Sequence, residues 1–297
     1  PRSTRVRSSA ASDVYKRQET DFVAKNAIFQ EFVQAVADKA LTVDTEKAGD
    51  GEDVVSILDM KADLDDKILK IGEKISIRRF EKVTADVVAS YIHGGGRIGV
   101  LVAGNGASDD AAKEALTNIA MQIAAMNPQY ISRDEISADE LAKMKEITID
   151  SALNDPFSLP KPVLSKLIEK AVAGVWSAED VAIYEEKKSN MNFLPNFLSK
   201  EAKAQLAEIA CADKEEISGN KIFSGLVEGR ISKQMKEICL LDQVYVKAED
   251  GKQTVAAYLK SVNPALKIAK FVRFEVGEGM EKKNEDFAAE VAKQMNV

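Results

Sequence analysis

The sequence predicts an α+β chain: two related core subdomains of antiparallel strands plus helices, with an inserted helical hairpin or bundle. Three observations predict it. Apolar positions switch between helical spacing and short β-branched runs; a strand pair followed by Gly-x-Gly and a helix occurs twice; and the stretch between the two copies is helical throughout. A length of 297 residues is near twice the usual domain size. The expected division sets residues 1–18 apart and assigns 19–130 to the first core subdomain. Residues 131–297 form the second, which contains the insertion at about 137–239 and a C-terminal helix at 284–295.

Residues 1–18 carry five basic side chains against the single acid Asp13, a local charge of +4 on a chain whose total is −7. An Arg/Ser-rich, acid-poor stretch of this kind can be a transit peptide. No initiating Met and no amphipathic period accompany it, and it resembles a tail of cloning-adaptor origin. It therefore reads as a non-native or disordered leader outside the fold, with the transit peptide as the alternative.

From Asn26, a good N-cap, Phe29, Phe32, Val33, Val36, Ala37 and Ala40 make one apolar helical stripe. Residues 44–53 are a polar loop, and 54–71 read as one further helix. The period then changes: Ile75–Phe80 is a strand, and Val87–His93 with Arg97–Ala103 flank Gly94-Gly95-Gly96 as a hairpin. Ser108, followed by Asp109 and Asp110, caps a helix running to Met126. The order returns near the C-terminus, where Thr254–Tyr258 parallels Val87–Tyr91, a strand spans Ile268–Val276, and Gly277-Glu278-Gly279 parallels Gly104-Asn105-Gly106. Between the copies, about 137–239 reads as helical throughout, broken at Asp155-Pro156, Pro160-Lys161-Pro162 and Leu194-Pro195, with alternating-charge helices such as 137–154 and 199–217. Their low aromatic content predicts packing on one another, on a second copy of the chain or on a partner, rather than around a large independent core.

The composition excludes several classes of function. A net charge of −7 argues against a general nucleic-acid binder, which needs an excess of Lys and Arg to neutralise phosphates, although a local basic patch stays open. Cys211 and Cys239 have no Cys-x-x-Cys spacing and almost no histidine nearby, so neither a metal site nor a disulfide is expected, and a reducing, cytosolic setting fits. No apolar run approaches the roughly 18–20 residues of a membrane-spanning helix. Enzyme chemistry has little to work with. His93 is the one histidine, no nucleophile elbow or phosphate loop occurs, and Gly104-Asn105-Gly106-Ala107-Ser108-Asp109 lacks the third glycine of the dinucleotide fingerprint. No cofactor is expected. The one unusual local feature is Glu19–Ala24, where a loop could present Phe22 to solvent beside Asp21. Thr20 or Asp21 could equally cap the following helix, with Phe22 as its staple.

Thr20-Asp21-Phe22-Val23-Ala24-Lys25-Asn26 resembles the signature of the elongation factor Ts family, guanine-nucleotide exchange factors of elongation factor Tu. The resemblance continues through Ile71–Arg79, Tyr91-Ile92-His93, Arg97–Val102, Ile119–Ala125, Val227-Glu228-Gly229-Arg230, Cys239–Gln243, Phe271–Lys282 and Asp286–Val291. It implies an α+β core of two related subdomains with a helical dimerisation segment, hence a possible homodimer. It also implies elongation factor Tu as partner, no direct nucleic acid and no membrane, and a bacterial-type cytoplasmic setting, or the mitochondrial matrix if residues 1–18 were a transit peptide. By resemblance, Thr20, Asp21, Phe22 and Val23 form the element that dislocates Mg²⁺. Ile98, Gly99, Gln122, Phe287 and Val291 are the expected partner contacts, Gln122 standing where some members have a histidine. Family members normally begin with a small helical domain and a strand that are expected to be missing here. The alternative function is therefore a module that binds elongation factor Tu without driving exchange.

Overall fold

A computed structural model describes residues 7–16 as backbone, and residues 23–49 and 51–279 with their side chains. The chain clusters into two compact units. One comprises Pro1–Asn127, Tyr245–Glu249 and Val255–Val297, the other Pro128–Val244 and Asp250–Thr254.

The first unit holds a three-stranded sheet with helices on one face. Arg7–Lys16, set outside the fold by composition, form β1, so a strand is present within residues 1–18. After a 3₁₀ turn at Val23–Lys25 comes α1 (Ala27–Ala40), started as predicted by Asn26, whose side chain accepts from the Ile28 amide at 2.8 Å. The polar loop contains a two-residue strand, β2 (Lys47–Ala48). The helix expected over 54–71 is two, α2 (Val54–Ile57) and α3 (Lys61–Ile71), because Asp59 takes the left-handed backbone at φ 51° and breaks the period. β3 (Ile75–Ala85) is central, with β1 and β2 antiparallel on either side. Its inner face, Ile75, Ile77 and Phe80, closes a core with Phe32, Val36 and Leu58.

β4 (Val87–His93) and β5 (Ile98–Asn105) form the predicted hairpin. Gly94, Gly95 and Gly96 all have positive φ (60°, 67° and 99°), a conformation that side chains disfavour, and the Arg97 amide closes the turn on the His93 carbonyl at 3.0 Å. α4 (Asp110–Met126) follows and packs on both strands. Its N-cap is Asp109 rather than Ser108, the carboxylate accepting from the Ala112 amide at 2.7 Å.

The second unit is helical: α5 (Ala138–Asn154), α6 (Lys161–Gly174), α7 (Ala178–Lys187), α8 (Lys200–Ala212), α9 (Lys214–Ser218) and α10 (Lys221–Ile238). Ser137 and Glu140 make a full capping box, and Ser177 and Ser199 cap α7 and α8. Contrary to the expectation from low aromatic content, the helices bury a core of their own, including Leu153, Ile168, Leu206, Phe223 and Trp176. The indole N–H of Trp176 donates to the Ala202 carbonyl at 2.9 Å, so its one polar atom is satisfied.

The chain then completes the first unit with α11 (Val255–Val262) and β6 (Lys267–Glu275). Val255–Tyr258 thus opens a helix where the parallel with Val87–Tyr91 called for a strand, and Thr254 makes only an isolated antiparallel bridge to Val244. β6 pairs antiparallel with β5 in a sheet ordered β4-β5-β6 instead of founding a sheet of its own. The outer face of β3, through Val83 and Ala85, meets Val88, Leu101, Ala103 and Val272 of this second sheet. The α+β class stands, while the residue-for-residue parallel with Thr254–Tyr258 does not. The helix expected at 284–295 lies outside the described residues.

Candidate functional site

Of the Thr20–Val23 motif, Thr20, Asp21 and Phe22 lie outside the described residues, and so do Phe287 and Val291. Val23 is described, and it is buried at 5% exposure in the core of the first sheet. The 3₁₀ turn it opens is closed by the Asn26 amide on the Val23 carbonyl at 2.9 Å, and the Gln30 side-chain amide donates to the Ala24 carbonyl at 3.1 Å. The end of the motif is therefore fixed by apolar burial on one side and a capped helix on the other.

Ile98 and Gly99 begin the central strand β5. Ile98 lies between His93 on β4 and Glu275 on β6, Gly99 between Ile92 and Phe274. Both are half-buried. No heavy atom lies within 4 Å of where a Cβ of Gly99 would stand, so the missing side chain leaves open space over the strand. Ile92 and Val276 flank this strand end at 70% and 72% exposure. These two were missed as site candidates; their apolar side chains beside the glycine turn were the available signal. The Val276 amide donates to the Arg97 carbonyl at 2.9 Å, holding that rim in place.

Gln122, among the expected partner contacts, lies on the buried face of α4. It is fully buried on α4, and its amide oxygen accepts from the Val246 amide at 2.7 Å, so it positions the segment entering the first unit at Tyr245. His93 is exposed and its ring nitrogen lies 3.1 Å from the Tyr91 hydroxyl. Glu278, in the second Gly-x-Gly turn, forms an ion pair with Arg79 at 2.8 Å. Burial pushes its carboxyl pKa up, but the Arg79 bond and the Glu275 amide outweigh that and hold it below the usual value.

Among the described residues, no group of three His, Cys, Asp or Glu side chains gathers where a metal could sit, and no helix is long and apolar enough to cross a membrane. A groove of about 360 Å³ in the helical unit, between Leu141 and Lys145 of α5 and Ile231 and Met235 of α10, contains none of the predicted site residues.

A family model described as Elongation factor TS matches residues 19–278. The chain belongs to the elongation factor Ts family. An Elongation factor Ts from Clostridioides difficile (strain 630) is 38% identical over 293 residues, covering 97% of this chain and 77% of that one. Those of Clostridium novyi (strain NT) and Halothermothrix orenii (strain H 168) are each 34% identical, over 94% of this chain and 74% and 73% of theirs. The family match starts one residue before Thr20 and ends at Glu278. It takes in the motif, the hairpin and the first two residues of the second Gly-x-Gly turn.

Proposed function

We propose that this chain is a guanine-nucleotide exchange factor that binds elongation factor Tu·GDP and promotes replacement of GDP by GTP. The observation that carries this reading is the family match across 19–278, which includes Thr20-Asp21-Phe22-Val23 immediately before a buried, capped anchor. A GTPase holds GDP through the phosphates and the bridging Mg²⁺, whose charge neutralises the diphosphate. An exchange factor must bind a state in which those contacts are loosened. Because coupling is reciprocal, a nucleotide that weakens the factor's hold is itself weakened by the factor to the same degree.

In this reading Phe22 wedges into the nucleotide domain of elongation factor Tu while Asp21 and its neighbours disturb the Mg²⁺ environment. Burial of Val23 supports the wedge, since a side chain can push on a partner only if its own backbone is held. Ile98 and Gly99, with Ile92 and Val276 beside them, form a second contact, and Phe287 and Val291 a third. No covalent bond is made or broken; the factor stabilises a nucleotide-poor complex, and GTP drives release. The setting is the bacterial cytoplasm, beside the translation machinery.

The test is Phe22→Ala, with release of a fluorescent GDP analogue from elongation factor Tu and binding measured separately. The expected result is a maximal release rate about tenfold lower, equivalent to about 1.4 kcal/mol of barrier, with docking largely kept. An unchanged release rate removes Phe22 from the mechanism, and binding without any release by the unaltered chain reduces it to a binding module.

A further inference from the structure

The two sheets of the first unit meet through apolar side chains, but charged contacts also cross between them, and those of Arg78 and Arg79 lie at an irregularity in β3. Consecutive residues Asp13 and Val14 of β1 pair with Arg79 and Ile77, so Arg78 has no opposite number in β1. This is a β-bulge, which re-aims side chains. Both neighbouring arginines consequently reach one turn. Arg79 Nη2 lies 2.8 Å from Glu278 Oε2, and Arg78 Nη1 donates to the Glu278 carbonyl at 2.6 Å. The Arg79 guanidinium also stacks 4.2 Å from the centre of the Phe274 ring, a cation–π contact. Farther along, Lys270 of β6 pairs with Glu81 of β3 at 2.6 Å.

These contacts complete a continuous path. Val23 packs in the core that Ile77 and Phe80 close on one face of β3. From the same strand Arg79 extends to Phe274, the residue opposite Gly99, and to Glu278, which follows the residue pairs Glu275–Ile98 and Phe274–Gly99. Apolar surfaces tolerate sliding, whereas a guanidinium that is both bonded to a carboxylate oxygen and stacked on a ring narrows the placements open to the two strands. We propose that Arg79 and Glu278 are positioning residues for nucleotide exchange, holding the sheet that anchors the Thr20–Val23 motif in register with the sheet that presents Ile98 and Gly99. The inference rests on the exchange-factor reading above.

A double-mutant cycle on the full chain tests it, using Arg79→Gln, Glu278→Gln and the pair together, with Arg79→Lys as the conservative variant. Maximal GDP-release rate and affinity for elongation factor Tu are measured for each. A distance distribution is taken between spin labels at exposed Glu31 on α1 and Ser90 on β4, with exposed Cys211 replaced by Ser. The expected result is a release rate roughly three- to tenfold lower in each single variant at nearly constant affinity, and no further loss in the double variant. The label distances should broaden in Arg79→Gln and narrow again, in part, in Arg79→Lys. Melting temperatures that fall while release rates and label distances stay as in the parent overturn the proposal, and so do fully additive losses. If the parent chain itself fails to speed GDP release, the exchange reading fails instead, and the label distances still report whether the clamp sets the register.

Discussion

Replacing Val23 by Ala separates the anchoring of the exchange motif from the stability of the core that anchors it. Val23 is 5% exposed, in one core with Phe29, Phe32, Val36 and Phe80. The substitution removes two methyl groups, about 0.8 kcal/mol each in transfer terms, and leaves a cavity that raises the loss to about 2–3 kcal/mol. Val36→Ala is the matched control: the same atoms are lost from the same core, at a position 0% exposed on α1 and away from the motif. Trp176 is the chain's one tryptophan and sits in the helical unit, so its fluorescence does not report on this core. Amide hydrogen exchange in α1 does. Both variants should speed exchange of the α1 amides that open with this core by roughly 30- to 150-fold, at 1.4 kcal/mol per factor of ten. Only Val23→Ala should also slow release of a GDP analogue from elongation factor Tu. Equal release rates in the two variants would refute the claim that burial of Val23 holds the motif.

Two further outcomes test the frame. Gly106→Ala places a Cβ 2.0 Å from the Ala265 carbonyl oxygen at a φ of 93°, so it should destabilise the first unit by more than about 2 kcal/mol, read as an early thermal transition in circular dichroism. Asp180 is buried in the helical unit and accepts from the Ser199 amide at 2.9 Å and the Ser177 and Ser199 hydroxyls at 2.7 and 3.0 Å. Burial raises its pKa, but those bonds outweigh burial and leave it lowered. A depressed folded pKa means the stabilisation is fully present above the unfolded value, about 3.9, and is lost as pH falls through the folded one. Stability to denaturation, followed by Trp176 emission, should therefore fall on acidification below about pH 4, and Asp180→Asn should flatten that dependence.

What the sequence made legible were features with local causes. The Asn26 cap, the boundaries of β4 and the end of α4 at Met126 follow from capping chemistry and period, and they stand. The break at Asp59 was hidden because apolar residues continue in phase on both sides of it. Thr254–Tyr258 is short and mixes Thr, Val and Ala, so strand and helix are indistinguishable by pattern, and packing on α4 decides for helix. β1 has an Arg/Ser composition that argues against a strand, yet its backbone is paired along β3. The Arg79–Glu278 ion pair joins residues 199 apart, and nothing local to either announces it. In the candidate site, the Thr20–Val23 motif was legible only by resemblance, since a capped helix with an aromatic staple needs the same residue types. Burial of Gln122 was foreshadowed by its place in the run from Ile119 to Ala124, whose other members are buried or partly so.

The most direct test of the exchange-factor reading is the release of a fluorescent GDP analogue from elongation factor Tu in the presence of Mg²⁺, followed with increasing amounts of this chain. The account predicts a release rate that rises with the chain's concentration and saturates, with bound nucleotide replaced when GTP is supplied. A release rate that stays at the spontaneous value while the two proteins demonstrably bind would contradict it.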